Sequence, residues 1–306
     1  MKVAIIGGTG FVGHYITQKL IQEKIKPSLL VRSGSDKKIE NTHEIEIIHG
    51  DVDDSIAMTK LMEGADVAIF LIGILREFPQ LGITFEKLQY QAAKLAIDVA
   101  IKAKVSKFIL MSANGVKADG TNYQQSKFKA EEYLKATDLN WTIFRPSVLF
   151  GHPQGRMEFA TQLNKEIIQM PLPAPLFFDN FTIKSAGQFQ MSPAFVGDVA
   201  DAFVKAILEN QTTGQTYSLC GPDNLSWKQI LTTIAQAVNT KKLMIPAPTW
   251  GVKSAALFLE RFKFFPITRD QITMLMEGNI CSNDNGFKAL GIKPKPFNIE
   301  TLDYLK

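Results

Sequence analysis

The sequence predicts an α/β fold: a doubly wound parallel sheet with a smaller, partly helical C-terminal lobe. Three observations predict it. An apolar run enters a glycine-punctuated turn within the first thirteen residues, strand and helix patterns alternate through the first half, and that rhythm breaks after residue 150. The first observation is the sharpest. Val3 to Ile6 is short, apolar and rich in β-branched residues, which suits a central parallel strand. Gly7, Gly10 and Gly13 follow at three-residue spacing, and an amphipathic segment from Phe11 to Gln22 continues as a helix. Gly7 permits the tight turn. Gly10 removes the side chain that would keep a pyrophosphate from the backbone, and Gly13 lets the helix pack on the sheet. The helix N-terminus offers unpaired N–H groups to an anion, so Gly7, Thr9, Gly10, Phe11, Val12 and Gly13 are the candidate dinucleotide contacts.

The later elements follow in order. Ser28 to Val31 reads as strand two and ends at Arg32; Ile45 to Ile48 reads as strand three and ends at Gly50-Asp51. Met58 to Met62 lies on a short helix, and Val67 to Ile72 is strand four, closed by Gly73. A helical stretch from about Phe85 to Ala103 puts Leu88, Ala92, Leu95, Ala96 and Val99 on one face. Lys107 to Met111 is strand five, Tyr123 to Lys135 the helix after it, and Trp141 to Phe144 strand six, stopped by Arg145-Pro146. Residues 151–193 are irregular. Asp198 to Leu208 resumes as helix and Thr216 to Leu219 as strand, and helical patterns follow around Trp227 to Val238, Val252 to Phe262 and Thr268 to Met276. Residues 1–150, completed by about 194–219, therefore read as a Rossmann-type dinucleotide-binding core. Residues 151–193 and 220–306 read as the smaller lobe, with a substrate expected in the cleft between the two.

Composition narrows the function classes. The net charge of +4 over 306 residues is mild and spread out, which argues against nucleic acid as a partner. Cys220 and Cys281 lie far apart, fall in no metal-ligand spacing, and suggest a reducing compartment. The four histidines form no ligand cluster, so no metal is expected. A first strand starting at residue 2 leaves no room for a leader, and no apolar stretch is long enough to span a membrane. The expectation is a soluble, cytoplasmic protein.

Some residues are placed to carry chemistry. Arg32 stands where such a fold meets the adenosine ribose. An acidic residue there would repel a 2′-phosphate, whereas the arginine fork matches one, favouring NADP(H) while leaving NAD(H) open; Ser33 adds a hydroxyl. Asp51 and Val52 are placed for the adenine, with a turn or helix N-cap as the alternative role for Asp51. Gly73 lets the backbone pass close to the cofactor. Tyr123 and Lys127 form Y-x-x-x-K on one helix face, where the lysine is expected to lower the phenol's pKa and to reach the nicotinamide ribose.

At this point the chain resembles a known family. Gly7-x-x-Gly10-x-x-Gly13, Gly50-Asp51, Ser112, Tyr123-x-x-x-Lys127, Arg145-Pro146-Ser147 and Gly151 resemble, in order, the extended short-chain dehydrogenase/reductase superfamily. Phe195-Val196-x-Asp198-Val199-Ala200 is similar to its signature before the late core helix. Pro266-Ile-Thr268-Arg-Asp270-Gln271 resembles a narrower, atypical branch, related to the nucleotide-binding accessory subunit of respiratory complex I. The resemblance implies catalytic roles for Tyr123, Lys127 and Ser112 and adds Pro146 to the cofactor contacts. There are departures. Epimerases and dehydratases of the superfamily carry consecutive serines or threonines after strand five, but here Met111-Ser112-Ala113-Asn114-Gly115 places Ala113 at the aligned position, with Ser112 or Asn114 as substitutes. The short segment from Ser112 to Tyr123 lacks the nucleotide-sugar loop.

Two function classes follow. One is an NADP(H)-dependent oxidoreductase acting on a carbonyl or alcohol of an apolar or ring-bearing small-molecule substrate. The other is a non-catalytic NAD(P)H-binding accessory or assembly protein; a nucleotide-sugar epimerase is a distant third. Lys253 to Phe265, apolar with Lys253, Arg261 and Lys263 interspersed, is compatible with contact to a membrane surface or a respiratory complex at the inner membrane. A core helix of the second lobe is the favoured reading of that segment.

Overall fold

The strand β1 (Lys2–Ile6) is buried from Val3 onward and lies inside the sheet, as a short β-branched run with no polar face requires. The computed structural model describes residues 1–39, 42–179, 183–252, 254, 268–281 and 285–306. They form two compact units. The first comprises Met1–Pro146, Val196–Leu219 and Asp284–Lys293. In it β1 is followed by α1 (Phe11–Gln22), β2 (Lys26–Val31), β3 (Glu46–His49), α2 (Ser55–Met62) and β4 (Val67–Phe70). A π-helical stretch, Glu86–Gln91, then runs into α3 (Ala92–Lys102), followed by β5 (Lys107–Met111), α4 (Asn122–Lys135) and β6 (Trp141–Pro146).

All seven strands of the sheet are parallel, in the order Gln215–Leu219, β6, β5, β4, β1, β2, β3. The chain winds outward from β1 to β3, crosses back to β4 and winds outward the other way. The carboxyl ends of β1 and β4 therefore flank the point where strand order reverses, the usual crevice for a ligand in such sheets. α2, α3 and α4 cover one face through Met58, Leu61, Ala96, Ile97 and Leu134, which pack with Ile6, Phe70 and Phe108. On the other face α1 packs with the helix Val196–Leu208, joined by an ion pair between Lys19 and Asp201 at 2.8 Å. From that helix Phe203 meets Phe144 of β6 with ring centroids 4.7 Å apart.

The second unit comprises Ser147–Phe195, Cys220–Asn283 and Pro294–Lys306. Its core gathers Phe150, Phe177, Phe178, Ile230, Ile234 and Phe297. The helix Trp227–Ala237 starts at a capping box between Ser226 and Gln229, and Trp227 Nε1 donates to Pro175 O at 2.9 Å. Thr268 and Gln271, part of the branch-like motif, form a second capping box at the start of the helix Arg269–Glu277. Residues 151–193 hold more order than their composition suggests: a helix Phe159–Leu163 and a strand Ala174–Phe178, which pairs in parallel with Met244–Pro248.

Two sequence expectations are corrected. Strand six does not stop at Arg145-Pro146 but runs through them. Pro146 lacks only the N–H; it keeps register opposite Leu219, and its carbonyl accepts from Asn114 N at 2.9 Å. Cys220 and Cys281, read as separate thiols of a reducing compartment, are joined in a disulfide across 61 residues of sequence. Folding brings Cys220 beside the segment after the helix Arg269–Glu277, which linear spacing does not reveal. Among the described residues no helix is long and apolar enough to cross a membrane. The segment Lys253 to Phe265 lies outside the described residues apart from Ser254.

Candidate functional site

The glycine turn is shaped by three different constraints. Gly7 has φ +95°, a conformation that side chains avoid, and its carbonyl accepts from Gly10 N at 3.1 Å. A Cβ on Gly13 would lie 2.3 Å from Gly7 O and 2.6 Å from Gly8 Cα, so this glycine is required for α1 to sit on the turn. A Cβ on Gly10 would approach only Gly7 O, at 3.2 Å, and otherwise occupies open space. Gly10 is the N-cap of α1, supplies no capping side chain, and no acidic residue occupies the first turn. The first N–H groups of the helix thus stay available to an anion while the dipole favours one. Thr9 and Phe11 are part-exposed around the turn; Val12 points into the core and offers only its backbone.

At the adenosine end, β2 and β3 are neighbours, and Gly50 N donates to Val31 O at 3.1 Å. Arg32 and Asp51 therefore emerge side by side. Arg32 and Ser33 are exposed, and the Arg32 guanidinium has no ion-pair partner among the described residues. The alternative role of Asp51 as a helix cap is filled instead by Asp54, which accepts from Ile56 N and Ala57 N at 3.0 Å each. Asp51 Oδ1 accepts from Val52 N at 2.7 Å and shapes the turn, with Val52 buried beside it.

The other end of the crevice brings together Gly73, Ser112, Lys127 and Pro146, with Tyr123 one turn before Lys127 on α4. Lys127 is buried, and its Nζ donates to Ile72 O and Met111 O, both at 3.1 Å. It thereby ties the carboxyl ends of β4 and β5 to α4. A Cβ on Gly73 would sit 3.3 Å from this ammonium, so the glycine leaves the approach open. Burial pushes the Lys127 ammonium down to about 8, partly offset by Glu131. Ser112 is 2% exposed, and its Oγ has no hydrogen-bond partner among the described residues. A hydroxyl desolvated in this way is costly unless a ligand meets it. Pro146 O holds the loop after β5 through Asn114 N, and Phe144 O accepts from Ser112 N at 2.7 Å.

Tyr123 departs from expectation. The spacing to Lys127 suggests a phenol with a lowered pKa; instead burial pushes it up to about 12. The Lys127 ammonium is committed to two carbonyls and does not offset the desolvation of a phenolate. The Tyr123 ring packs edge-on against Phe85, with centroids 5.7 Å apart. Sequence reasoning also missed Gln89. This buried glutamine on the π-helical stretch donates through Nε2 to Ile74 O at 2.7 Å and accepts from Ser126 Oγ at 2.9 Å. It fixes the loop after Gly73 to the helix that carries Lys127. Its signal was a long polar side chain inside an otherwise apolar helical stripe.

A family model described as NAD(P)H-binding matches residues 7–169. A ceramide reductase of Caulobacter vibrioides is 31% identical over 150 residues, which is 49% of this chain and 46% of that protein. The chain thus spans about half the length of that relative. The mitochondrial NADH-ubiquinone oxidoreductase 40 kDa subunit of Neurospora crassa is 22% identical over 99% of this chain and 78% of its own. Among solved structures, the UDP-glucose 4-epimerase of Thermus thermophilus, determined in complex with NAD, superposes with a TM-score of 0.75 at 16% identity, covering 100% of this chain and 99% of that one. These matches bear out the resemblance to epimerase-like short-chain dehydrogenase/reductases and to the complex I subunit branch.

Proposed function

Because the chain belongs to the NAD(P)H-binding family, we propose that it is an oxidoreductase that binds NADP(H) in preference to NAD(H) and reduces or oxidises an apolar small molecule. The residues present fit such a cofactor. The open space at Gly10 and the uncapped start of α1 suit a pyrophosphate, and the exposed Arg32 suits a 2′-phosphate. The observation that carries the catalytic reading is the buried, partnerless Ser112 hydroxyl, one residue beyond the Met111 carbonyl that holds Lys127.

A bound nicotinamide supplies hydride to, or accepts it from, the carbon of a carbonyl–alcohol pair. The chain's own part is then proton management. Ser112 Oγ donates to the substrate oxygen. Tyr123, a neutral phenol at physiological pH, donates the proton as charge develops on that oxygen and is recharged from solvent. The Lys127 ammonium uses two of its three N–H groups on carbonyls and has a third for a ribose hydroxyl. The relative named a ceramide reductase supports an apolar substrate.

A second reading, an NAD(P)H-binding accessory protein, is favoured by Ala113 in the loop after β5 and by the match along 99% of the chain to a respiratory-complex subunit. One experiment separates the two. NADPH oxidation is followed against a panel of aldehydes, cyclic ketones, quinones and long-chain ketones, with Tyr123→Phe alongside. The enzyme reading expects turnover on at least one class and a loss of roughly two to four orders of magnitude in the variant, with NADPH affinity nearly unchanged. Tight NADPH binding with silence across the panel assigns the accessory role.

A further inference from the structure

Side chains of β6 alternate between the two faces of the sheet. Phe144 meets Phe203 of the helix Val196–Leu208 on one face, while Ile143 packs with Ala130 and Leu134 of α4 on the other. Arg145, two residues after Ile143, therefore turns to α4. There its guanidinium grips Glu131 with two hydrogen bonds, Nε to Oε1 at 2.8 Å and Nη2 to Oε2 at 2.5 Å. The Glu131 side chain is fully buried and that of Arg145 partly exposed. A buried carboxylate is costly unless it is paired and hydrogen-bonded, and the fork of one arginine does both.

The pair joins two parts of the candidate site. On β6, the carbonyls on either side of Arg145 hold the loop after β5: Phe144 O accepts from Ser112 N at 2.7 Å and Pro146 O from Asn114 N at 2.9 Å. On α4, Glu131 stands one turn beyond Lys127, and residues four apart share a helix face. The Lys127 ammonium bonds two neutral carbonyls, those of Ile72 and Met111, and Tyr123 one turn earlier is an uncharged phenol. Glu131 supplies the opposite charge that offsets part of the cost of burying this ammonium. The remaining charged residues of α4 are engaged elsewhere. Lys135 lies 3.5 Å from Glu131 but 2.9 Å from Glu132, and Lys129 pairs with Glu86 at 3.4 Å. Toward α3, Tyr133 donates to Asp98, which also holds Lys94 at 2.9 Å.

We propose that Glu131 is a positioning residue: clamped by Arg145, its carboxylate keeps the buried Lys127 ammonium charged for the ribose of a nucleotide. This role rests on the reading above, in which the charged ammonium meets the cofactor. It gives the Glu131–Arg145 pair a purpose beyond holding α4 to β6, because a pair kept for anchorage alone could be exchanged for apolar side chains at little cost.

Two measurements on the full-length protein test it. NMR of isotope-labelled lysine side chains follows the ionisation of Lys127 without nucleotide, its signal identified by absence from Lys127→Met. Glu131→Gln keeps the shape of the side chain and removes its charge, so the Lys127 midpoint should fall by about one pH unit. NADPH affinity by calorimetry should then be unchanged at about pH 6 and about threefold weaker at about pH 8, where less of the ammonium stays charged. Glu131→Gln combined with Arg145→Met leaves no buried charge unpaired, so it guards against a folding failure and should move the midpoint in the same direction. A Lys127 midpoint that stays at the parent's value in both variants overturns the proposal. So does a loss of NADPH affinity that is equal at both pH values, the mark of a purely structural pair. A parent protein that binds no NADPH at any pH would refute the cofactor reading itself, and the NMR midpoint alone then decides whether Glu131 holds the charge.

Discussion

A guanidinium stays charged at any pH a protein survives, so its effect depends on what stands opposite. Arg32 is exposed at the end of β2, with no ion-pair partner among the described residues. A 2′-phosphate placed there gains a charge-assisted, forked contact. NADPH should therefore bind more tightly than NADH by calorimetry, and Arg32→Glu should erase or invert the preference; equal affinities in the parent would remove Arg32 from recognition. Lys127 presents the opposite case, a cation whose charge is in question. Burial brings its pKa from 10.5 down to about 8. Between those values the unfolded chain holds the proton that the folded one has lost, so this residue makes unliganded stability rise with pH across that window. Nucleotide affinity moves the other way if the charged ammonium is what meets the ribose. It should be level below pH 8 and fall by roughly tenfold towards pH 9.5, as a charge-assisted hydrogen bond becomes a neutral one. Titration of NADPH binding against pH checks this, and Lys127→Met should flatten the curve.

At the scale of elements, the strand–turn–helix from β1 to α1 separates glycines required by the fold from those kept for a ligand. Gly13 meets backbone on its Cβ side, whereas Gly10 meets mostly space. Gly13→Ala should destabilise the protein by about 3 kcal/mol, since neither Gly7 O nor Gly8 Cα can retreat without opening the turn. Gly10→Val should keep the fold but lose the stabilisation that NADPH gives the parent. Thermal melts of both variants, with and without nucleotide, make the distinction. An unchanged nucleotide-induced shift in Gly10→Val would place the pyrophosphate elsewhere. Most elements of this unit were legible because burial imposes period: β5 keeps the expected bounds Lys107–Met111, and α3 follows its apolar stripe. The start of the long helix was less so. Its π-helical turns at Glu86–Gln91 answer to Gln89, whose bonds to Ile74 and Ser126 lie far away in sequence.

The largest-scale constraint is covalent. The disulfide between Cys220 and Cys281 closes a loop of 61 residues within the second unit. Restricting the unfolded chain in this way stabilises the folded form by about 4 kcal/mol on the chain-entropy account. Reduction by dithiothreitol, or Cys281→Ser, should lower the unfolding midpoint by several degrees; identical melts with and without reductant would show that the bond restrains little. No local pattern foretold this pairing, just as none foretold that Lys127 would turn to two backbone carbonyls and leave Tyr123 a high-pKa phenol. The sequence by itself determined the doubly wound sheet, the glycine turn at its switch point and the helix that carries Tyr123 and Lys127, because hydrophobic period, glycine and capping residues act over a few neighbouring positions. Only the tertiary structure decided which groups are desolvated and which are satisfied: the stranded Ser112 hydroxyl, the depressed lysine and the joined cysteines. Desolvation and hydrogen-bond satisfaction depend on segments tens of residues apart meeting in space, and no window along the chain contains both partners.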